Sequence, residues 1–344
     1  MKYLFFLFLP FLAHGQQVKW ESSLAEAFRK AAEQDRTVFV EFYSPGCPYC
    51  QRIAPFFGEK AVADLYNGAF VNYALNVETE EAREFVEKAG LEVYAIPYFL
   101  FFRPDTTLVH AREVSADLNS VLQPGRMVVA KTYTGENYAR RFEAGERSEN
   151  FLMHYALFSR VRKDTVTNRK VLDALWEVYP ADQRTSPTSW AVVKKVMTDA
   201  QNRFAGFWLE NWRAASAYES STENVKAAFL RIFHGTVLSR EAAGFTAGEW
   251  RAWREKFAPV VGEQTALALT WTNEIHAYFK VQNTGAALEL ARRVAADFQN
   301  DAAVLTYLAQ VIEQGCPACR EEAASWRGKA KVLEEENASK ENRK

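Results

Sequence analysis

The sequence predicts an α/β domain, built from a mixed sheet flanked by helices, followed by an all-α domain. Apolar, β-branched runs alternate with helical patterns over about the first 125 residues, which is the order expected of a layered α/β fold. From about residue 138 onward the apolar spacing is helical throughout. The chain has 344 residues, 48% of them hydrophobic, which is enough for two domains.

The α/β domain reads as a helix, then β-α-β, then a β-hairpin and a closing helix. Ser22 and Ser23 are suited to cap the first helix. Pro55 is expected to kink the helix that follows the first strand. Strands are predicted over 38–43, 70–77, 96–102 and 107–111, and helices over 24–32, 47–66, 80–89 and 116–122.

The helical domain is predicted from apolar stripes at helical spacing, which we interpret as core packing. The last two predicted helices, 285–300 and 301–315, are closest to a tetratricopeptide-like hairpin, because Ala287, Ala291 and Ala295 permit close packing. The stripes lie over 151–158, 171–179, 191–196, 225–233, 250–257, 266–279, 286–298 and 303–312.

The N-terminus has the features of a secretory signal peptide. Lys2 supplies a positive charge, residues 3–12 are apolar apart from Pro10, and small residues precede Gln16. The apolar stretch is shorter than the roughly 20 residues of a spanning helix, which disfavours the alternative of an uncleaved anchor. We expect cleavage after Gly15 and a periplasmic or secreted protein with no membrane insertion, in a compartment where disulfides persist.

The predicted domain boundaries follow from these patterns. The segment from 334 onward is polar apart from Ala338 and is expected to fray. The divisions are a signal peptide over 1–15, the α/β domain over 16–130, the helical domain over 131–333 and a polar tail over 334–344.

Composition excludes some function classes. The formal net charge of -1 argues against a nucleic-acid or membrane-surface role driven by charge. The five histidines show no spacing typical of metal ligands, and no motif calls for a cofactor. The four cysteines are too few for a disulfide scaffold in a chain of this length, and they form two Cys-x-x-Cys pairs.

The first pair is the most informative motif. An apolar strand ends in Ser44-Pro45-Gly46, Cys47-Pro48-Tyr49-Cys50 follows at once, and a helical pattern begins there. Unpaired N–H groups and the helix dipole stabilise a thiolate at such a helix start. Cysteines at positions i and i+3 share one face of the first turn, so they can form a disulfide with each other.

Residues 20–125 resemble a thioredoxin-fold domain. The similarity rests on three segments in the family's order: Glu41 to Pro55 resembles its strand–active-site–helix signature, Leu75-Asn76-Val77-Glu78 its next strand, and Ala95 to Phe102 the segment with its cis-proline. The whole chain more loosely resembles secreted Bacteroidetes-type proteins that join a thioredoxin domain to a helical C-terminal region.

The resemblance implies roles for individual residues. Cys47 would be the attacking thiolate and Cys50 would resolve the mixed disulfide. Glu41 occupies the position of the family's buried acid and would take the proton from Cys50; the alternative is a solvated carboxylate at a sheet edge. Pro97 would be cis and would place the Ile96 backbone beside Cys47 for an extended substrate.

The implied substrate-binding residues are Pro48, Tyr49, Ile96 and Tyr98. The sequence also departs from the thioredoxin pattern. Gly46 replaces the usual tryptophan before the first cysteine, Ala74 stands where many members carry a lysine, and the Pro-Tyr dipeptide is typical of glutaredoxins. Reductase, oxidase and isomerase activity therefore all fit this active site.

The second pair, Cys316 and Cys319, has no strand before it. Gly315 ends one predicted helix and Pro317 begins the next, so this pair also lies at a helix start. A local structural disulfide is the preferred interpretation in an oxidising compartment. A second redox couple, free thiols, and a zinc site shared by all four cysteines are the alternatives.

Two functions follow from the sequence. The first is a thiol–disulfide oxidoreductase that acts on the thiols and disulfides of exported proteins, together with a redox partner that the sequence does not identify. The alternative is a binding protein whose helical domain grips a partner while the thioredoxin domain serves as a docking platform. The combination of Cys47, Cys50, Glu41 and Pro97 favours chemistry. The sequence predicts no oligomeric state.

Overall fold

The computed structural model describes residues 17–341, so the predicted signal peptide lies outside the described residues. The chain divides between Val178 and Tyr179 into two compact units. The boundary predicted at residue 131 therefore falls inside the first unit.

The first unit contains the four strands found within residues 17–341. Its strands are β1 (Thr37–Tyr43), β2 (Phe70–Asn76), β3 (Tyr98–Phe102) and β4 (Leu108–Glu113). Its helices are α1 (Leu24–Gln34), α2 (Pro48–Ile53), α3 (Lys60–Ala69), α4 (Glu80–Lys88), α5 (Leu118–Val129), α6 (Gly135–Glu143), α7 (Glu149–Val161) and α8 (Thr165–Val178).

The four strands form one mixed sheet in the order β2-β1-β3-β4. Strand β1 pairs with β2 in parallel and with β3 antiparallel, and β3 pairs antiparallel with β4. The central position of β1 explains its burial pattern, in which every residue from Val38 to Phe42 is buried. The predicted mixed sheet with flanking helices is confirmed.

Helices cover both faces of the sheet. Phe39, Phe99 and Phe101 belong to one apolar cluster with α3 and α5, since alternate residues of a strand point to the same side. Phe42 and Phe102 point to the opposite side, where their rings contact phenylalanines of α1 and α4. Glu41 lies two residues after Phe39, so its carboxylate points toward the face that α2 and α3 cover.

Two helices differ from the prediction. The helix expected over 47–66 is interrupted: α2 ends at Ile53, a 3-10 turn spans Ala54–Gly58, and α3 begins at Lys60. Pro55 has no N–H for the helical ladder, so it ends the regular helix rather than kinking it. Helix α5 continues through Pro124. The burial of its apolar face against the sheet stabilises the helix by more than the loss of one hydrogen bond at Pro124 costs.

The second unit is all helical. Trp271 and Ile275, both in the helix Glu263–Lys280, pack in one core with Leu308 and Trp326. Its helices are α9 (Pro187–Lys195), α10 (Arg203–Glu210), α11 (Thr222–Val237), α12 (Ala247–Val261), α13 (Glu263–Lys280), α14 (Thr284–Asp297), α15 (Ala302–Gly315) and α16 (Arg320–Glu341).

The helices predicted over 285–300 and 301–315 are present as α14 and α15. Ala287 and Ala291 of α14 are fully buried in the core that α15 shares, as small residues at a close helix contact should be. Helix α16 continues to Glu341 and so includes most of the segment expected to form a frayed tail. No helix within residues 17–341 combines the length and the apolar character needed to cross a membrane.

One glycine of the second unit provides a test of its packing. A Cβ atom on Gly235 would lie 2.0 Å from the Thr198 carbonyl oxygen, so Gly235→Ala must displace backbone. We expect this substitution to lower the free energy of unfolding by about 2–3 kcal/mol. Gly206→Ala, also within a helix but with no atom within 4 Å of the added Cβ, should instead be neutral or stabilise by up to about 1 kcal/mol. Urea denaturation followed by circular dichroism measures both, and equal effects would contradict the assigned contact.

Candidate active site

The end of β1 places the first cysteine pair at the start of α2. Cys47 is the N-cap residue, and its Sγ accepts a hydrogen bond from the Cys50 N–H over 3.2 Å. Pro48 occupies the first helical turn, where its missing N–H costs nothing. Cys47 is half-buried, Cys50 is buried, and both thiols are free. The first thiol of the pair is therefore partly accessible to solvent and the second is protected.

Cys50 needs help to become a nucleophile. Burial raises the pKa of its thiol to about 12, and the hydrogen bond with Cys47 adds to the increase. A thiol with so high a pKa holds its proton at neutral pH, so attack by Cys50 requires a group that removes this proton.

Glu41 is a buried acid that lines the same cavity as Cys50. Its side chain is buried, with 6% of its surface exposed, and this burial raises the pKa of its carboxyl group to about 8. Ala74 is its direct partner across β1 and β2, and within residues 17–341 no basic side chain forms an ion pair with Glu41. Without a neighbouring cation the cost of burial is uncompensated, which is why the carboxyl group keeps its proton up to a pKa near 8.

A cavity of about 410 Å³ connects the acid to the thiol. Glu41, Cys50 and Ala74 all contribute to its lining, together with Trp20 and Phe57. The small Ala74 side chain leaves room where a longer residue would fill the space. A cavity of this size, with polar side chains in its lining, can hold water molecules able to carry a proton between Cys50 and Glu41.

The loop before β3 lies against the first cysteine. The Ile96–Pro97 peptide bond is cis, as the sequence resemblance implied. The carbonyl oxygen of Ile96 lies 3.9 Å from Cys47 Sγ. An extended substrate that pairs with this backbone would therefore have its sulfur beside Cys47.

Two predicted substrate-binding residues differ in exposure. The Tyr49 ring is 60% exposed and the Arg52 guanidinium stacks on it at 4.2 Å, so this pair forms an open rim beside the cysteines. Tyr98 is buried, and its ring packs edge-on against Tyr94. Its side chain therefore faces the interior of the domain, where it supports the loop from below.

A groove of about 720 Å³ begins at Ile96 and runs along α4. Phe42, Val77 and Val86 form much of its apolar floor, and Lys163, from the turn between α7 and α8, lies at its edge. Near the groove the Ser44 hydroxyl donates to the Glu78 carboxylate, which ties the active-site turn to the start of α4.

The second cysteine pair forms a disulfide. Cys316 and Cys319 are bonded to each other at the turn that begins α16. Cys316 is buried, and its N–H donates to Ile312 at the end of α15. This bond is the local disulfide that the sequence favoured. In the described part of the chain no three His, Cys, Asp or Glu side chains are arranged to hold a metal ion.

Comparison with known proteins identifies the fold of the N-terminal domain. Residues 19–104 match a family described as thioredoxin-like, so the N-terminal domain has a thioredoxin-like fold, and a long helical region follows it. The thioredoxin-like fold supports a thiol–disulfide oxidoreductase as the general class of protein. No curated protein matches the chain.

Two solved structures are similar to this chain over about a third of its length. One is a candidate disulphide isomerase from Bacteroides thetaiotaomicron, 27% identical, covering 34% of this chain and 97% of that protein, with a TM-score of 0.30. The other is a thioredoxin from Thermus thermophilus, 27% identical, covering 33% of this chain and 89% of that protein, with a TM-score of 0.30.

Sequence reasoning missed one group of residues near the site. Arg160, at the end of α7, pairs with Glu92 and stacks on Tyr94. Nothing in the local pattern around Arg160 indicates this contact, since it joins positions 68 residues apart. From the sequence alone, an arginine on a helical face is predicted to be exposed to solvent, because charged side chains are seldom buried.

Proposed function

We propose that this protein is a thiol–disulfide oxidoreductase that exchanges disulfides with exported proteins through Cys47 and Cys50. The observation that carries the proposal is the position of Cys47 Sγ, 3.9 Å from the Ile96 carbonyl oxygen and in contact with the Cys50 N–H. Substrate backbone, attacking sulfur and resolving residue then meet at one point. The signal-peptide features of residues 1–15 support a periplasmic or secreted location.

The first step is attack by the Cys47 thiolate on one sulfur of a client disulfide. A bond forms between Cys47 Sγ and that sulfur, the client S–S bond breaks, and the other client sulfur leaves as a thiolate. The N-cap position favours this step, because the Cys50 N–H donates to the reacting sulfur.

The second step releases the client. Glu41, as a carboxylate, takes the proton of Cys50 through the shared cavity, and the Cys50 thiolate attacks Cys47 Sγ. The mixed disulfide breaks, the second client sulfur leaves as a thiolate, and Cys47 and Cys50 end as a disulfide. Two electrons have passed to the client, and an external dithiol must return them; the same steps in reverse oxidise a client.

Reduction of insulin disulfides with dithiothreitol as electron donor tests the proposal. The full-length protein should accelerate insulin precipitation well above dithiothreitol alone, and the variant with both Cys47 and Cys50 replaced by serine should not. Equal rates for the two proteins would refute the proposal and favour the docking-platform function.

The second disulfide should not take part in this chemistry. Among the described residues, the helical unit that holds Cys316 and Cys319 contains no strand, and Glu313, Glu321 and Glu322 lie partly or fully exposed. Replacing both cysteines by serine should leave insulin turnover within about twofold. Because the closed loop is very short, the loss of stability should not exceed about 2 kcal/mol. A large loss of turnover with an unchanged circular dichroism spectrum would show that this pair relays electrons.

A further inference from the structure

We propose that Arg160 is a positioning residue of the active site: it fixes the loop of residues 91–97 so that the Ile96 backbone lies where a substrate can pair beside Cys47. The inference rests on the proposed oxidoreductase function and assigns part of that site to the helical region. The loop of residues 91–97 is called the substrate loop below.

The substrate loop has little regular structure of its own. It contains no helix and no strand, and it connects α4 to β3 across the top of the sheet. At its start the Leu91 N–H donates to Val86, and at its end the Pro97 carbonyl accepts from the Val114 N–H over 3.4 Å. The residues between these ends are held by contacts from elsewhere in the unit.

Helix α7 supplies three of those contacts. The Glu92 N–H donates to the Val161 carbonyl over 2.8 Å. The Arg160 guanidinium lies 3.0 Å from the Glu92 carboxylate and 3.8 Å above the centre of the Tyr94 ring. One backbone hydrogen bond, one ion pair and one cation–π contact therefore join the end of α7 to two residues of the substrate loop.

The guanidinium is held in one place. The Arg160 side chain is 1% exposed, so its charge depends on the partners that surround it. An arginine fork pairs with a carboxylate in a fixed geometry and stacks flat on an aromatic ring, which a lysine cannot do. Arg160 therefore transmits the position of α7 to the substrate loop as a rigid contact.

Tyr94 links the Arg160 contact to the residues beside Cys47. The Tyr94 ring packs edge-on against buried Tyr98 at 5.4 Å, and the two hydroxyl oxygens lie 3.5 Å apart. Ile96 and Pro97 lie between these two tyrosines in sequence, and the Ile96 carbonyl oxygen lies 3.9 Å from Cys47 Sγ. A shift of about 1 Å in such a positioning element can cost a factor of about 100 in rate.

The test compares Arg160→Met, Arg160→Lys and Tyr94→Leu in the full-length protein. Both Arg160→Met and Tyr94→Leu should lower kcat/KM for insulin by about 10- to 100-fold, mainly through KM, because the substrate is seated poorly. Arg160→Lys should restore only part of the loss. The double variant should be no worse than the poorer single variant, since both changes act through one contact. Alkylation of Cys47 by iodoacetamide, which needs no substrate loop, should stay within about twofold.

Arg254→Met is the matched control. Arg254 is also buried and also pairs with a carboxylate, that of Glu274, but it belongs to the second unit. The Arg254→Met variant should be less stable than the wild-type protein, but its folded molecules should keep the wild-type kcat/KM. If Arg160→Met and Arg254→Met affect kcat/KM equally, or if the Arg160 and Tyr94 effects simply add, the positioning role is refuted.

A second measurement separates this inference from the proposed function. Hydrogen exchange at the amides of residues 92–96 reports the order of the substrate loop without any turnover. Exchange there should accelerate in Arg160→Met and stay unchanged in Arg254→Met, and unchanged exchange in both would refute the inference. A wild-type protein without insulin turnover would instead refute the proposed function.

Discussion

Replacing Cys47 by serine is expected to reduce insulin turnover by a factor of at least about 1,000, to the level of dithiothreitol alone. A hydroxyl at the start of α2 has no usable anion at neutral pH, so the first bond to the client cannot form. Turnover above one hundredth of the wild-type rate would show that the client is attacked by another group.

Replacing Cys50 by serine should give a different result. Cys47 can still attack, but the mixed disulfide with the client has no resolving thiol behind it, so the complex persists. Non-reducing electrophoresis of cell extracts should show client adducts with Cys50→Ser and none with Cys47→Ser. Equal trapping by the two variants would contradict the assignment of attacker and resolver.

Replacing Glu41 by glutamine is expected to slow release of the client by about 100-fold at pH 7, because the base for Cys50 is lost. In the wild-type protein the rate should rise as pH passes about 8, the pKa to which burial raises the Glu41 carboxyl group. The rise in Glu41→Gln should move to higher pH and follow the ionisation of Cys50 itself. Stopped-flow measurement of mixed-disulfide decay between pH 6 and 10 tests both statements.

The same substitution should change the pH dependence of stability. The folded state raises the pKa of Glu41 from 4.5 to about 8, so between these values the folded protein binds more protons than the unfolded chain. The stability of the wild-type protein relative to Glu41→Gln should therefore fall as pH rises from about 4.5 to 8, by up to about 1.4 kcal/mol per pH unit. Urea denaturation at several pH values measures the difference.

Glu81→Gln is a suitable control for the client-release experiment. Glu81 is an exposed acid of α4 that accepts a hydrogen bond from Tyr73 over 2.7 Å. Its substitution should leave the rate of client release unchanged. If Glu41→Gln behaves like Glu81→Gln, Glu41 is not the base that serves Cys50.

The sequence predicted best what depends on neighbours in the chain. The strand before Cys47, the turn at Pro45 and Gly46 and the helix start at Pro48 are set by local propensity, and the structure has all three. The burial of Glu41 was implied by the family resemblance, and the structure has it. Its partner Ala74 could be named only through the family resemblance, because strand register is fixed by packing rather than by either strand alone.

Predictions were weaker where tertiary packing overrides local propensity. Helix α5 passes through Pro124, which a local rule would place at a helix end. Its buried residues Val121 and Val128 belong to the sheet core and stabilise the longer helix. The contact of Arg160 with Glu92 and Tyr94 was not predicted for the same reason, since only the folded chain brings α7 to the substrate loop.

The hydrogen bond from Glu92 to Val161 bears on how such a chain can be divided. A protein cut after residue 130 would keep both reactive cysteines, the buried acid and the cis-proline, yet it would lose every contact that α7 makes to residues 92 and 94. Those residues would face solvent, as would the apolar surface of Tyr94. Helix α7 is therefore part of the environment of the first cysteine pair: a fragment that ends at residue 130 would carry the cysteines without the α7 contacts to Glu92 and Tyr94.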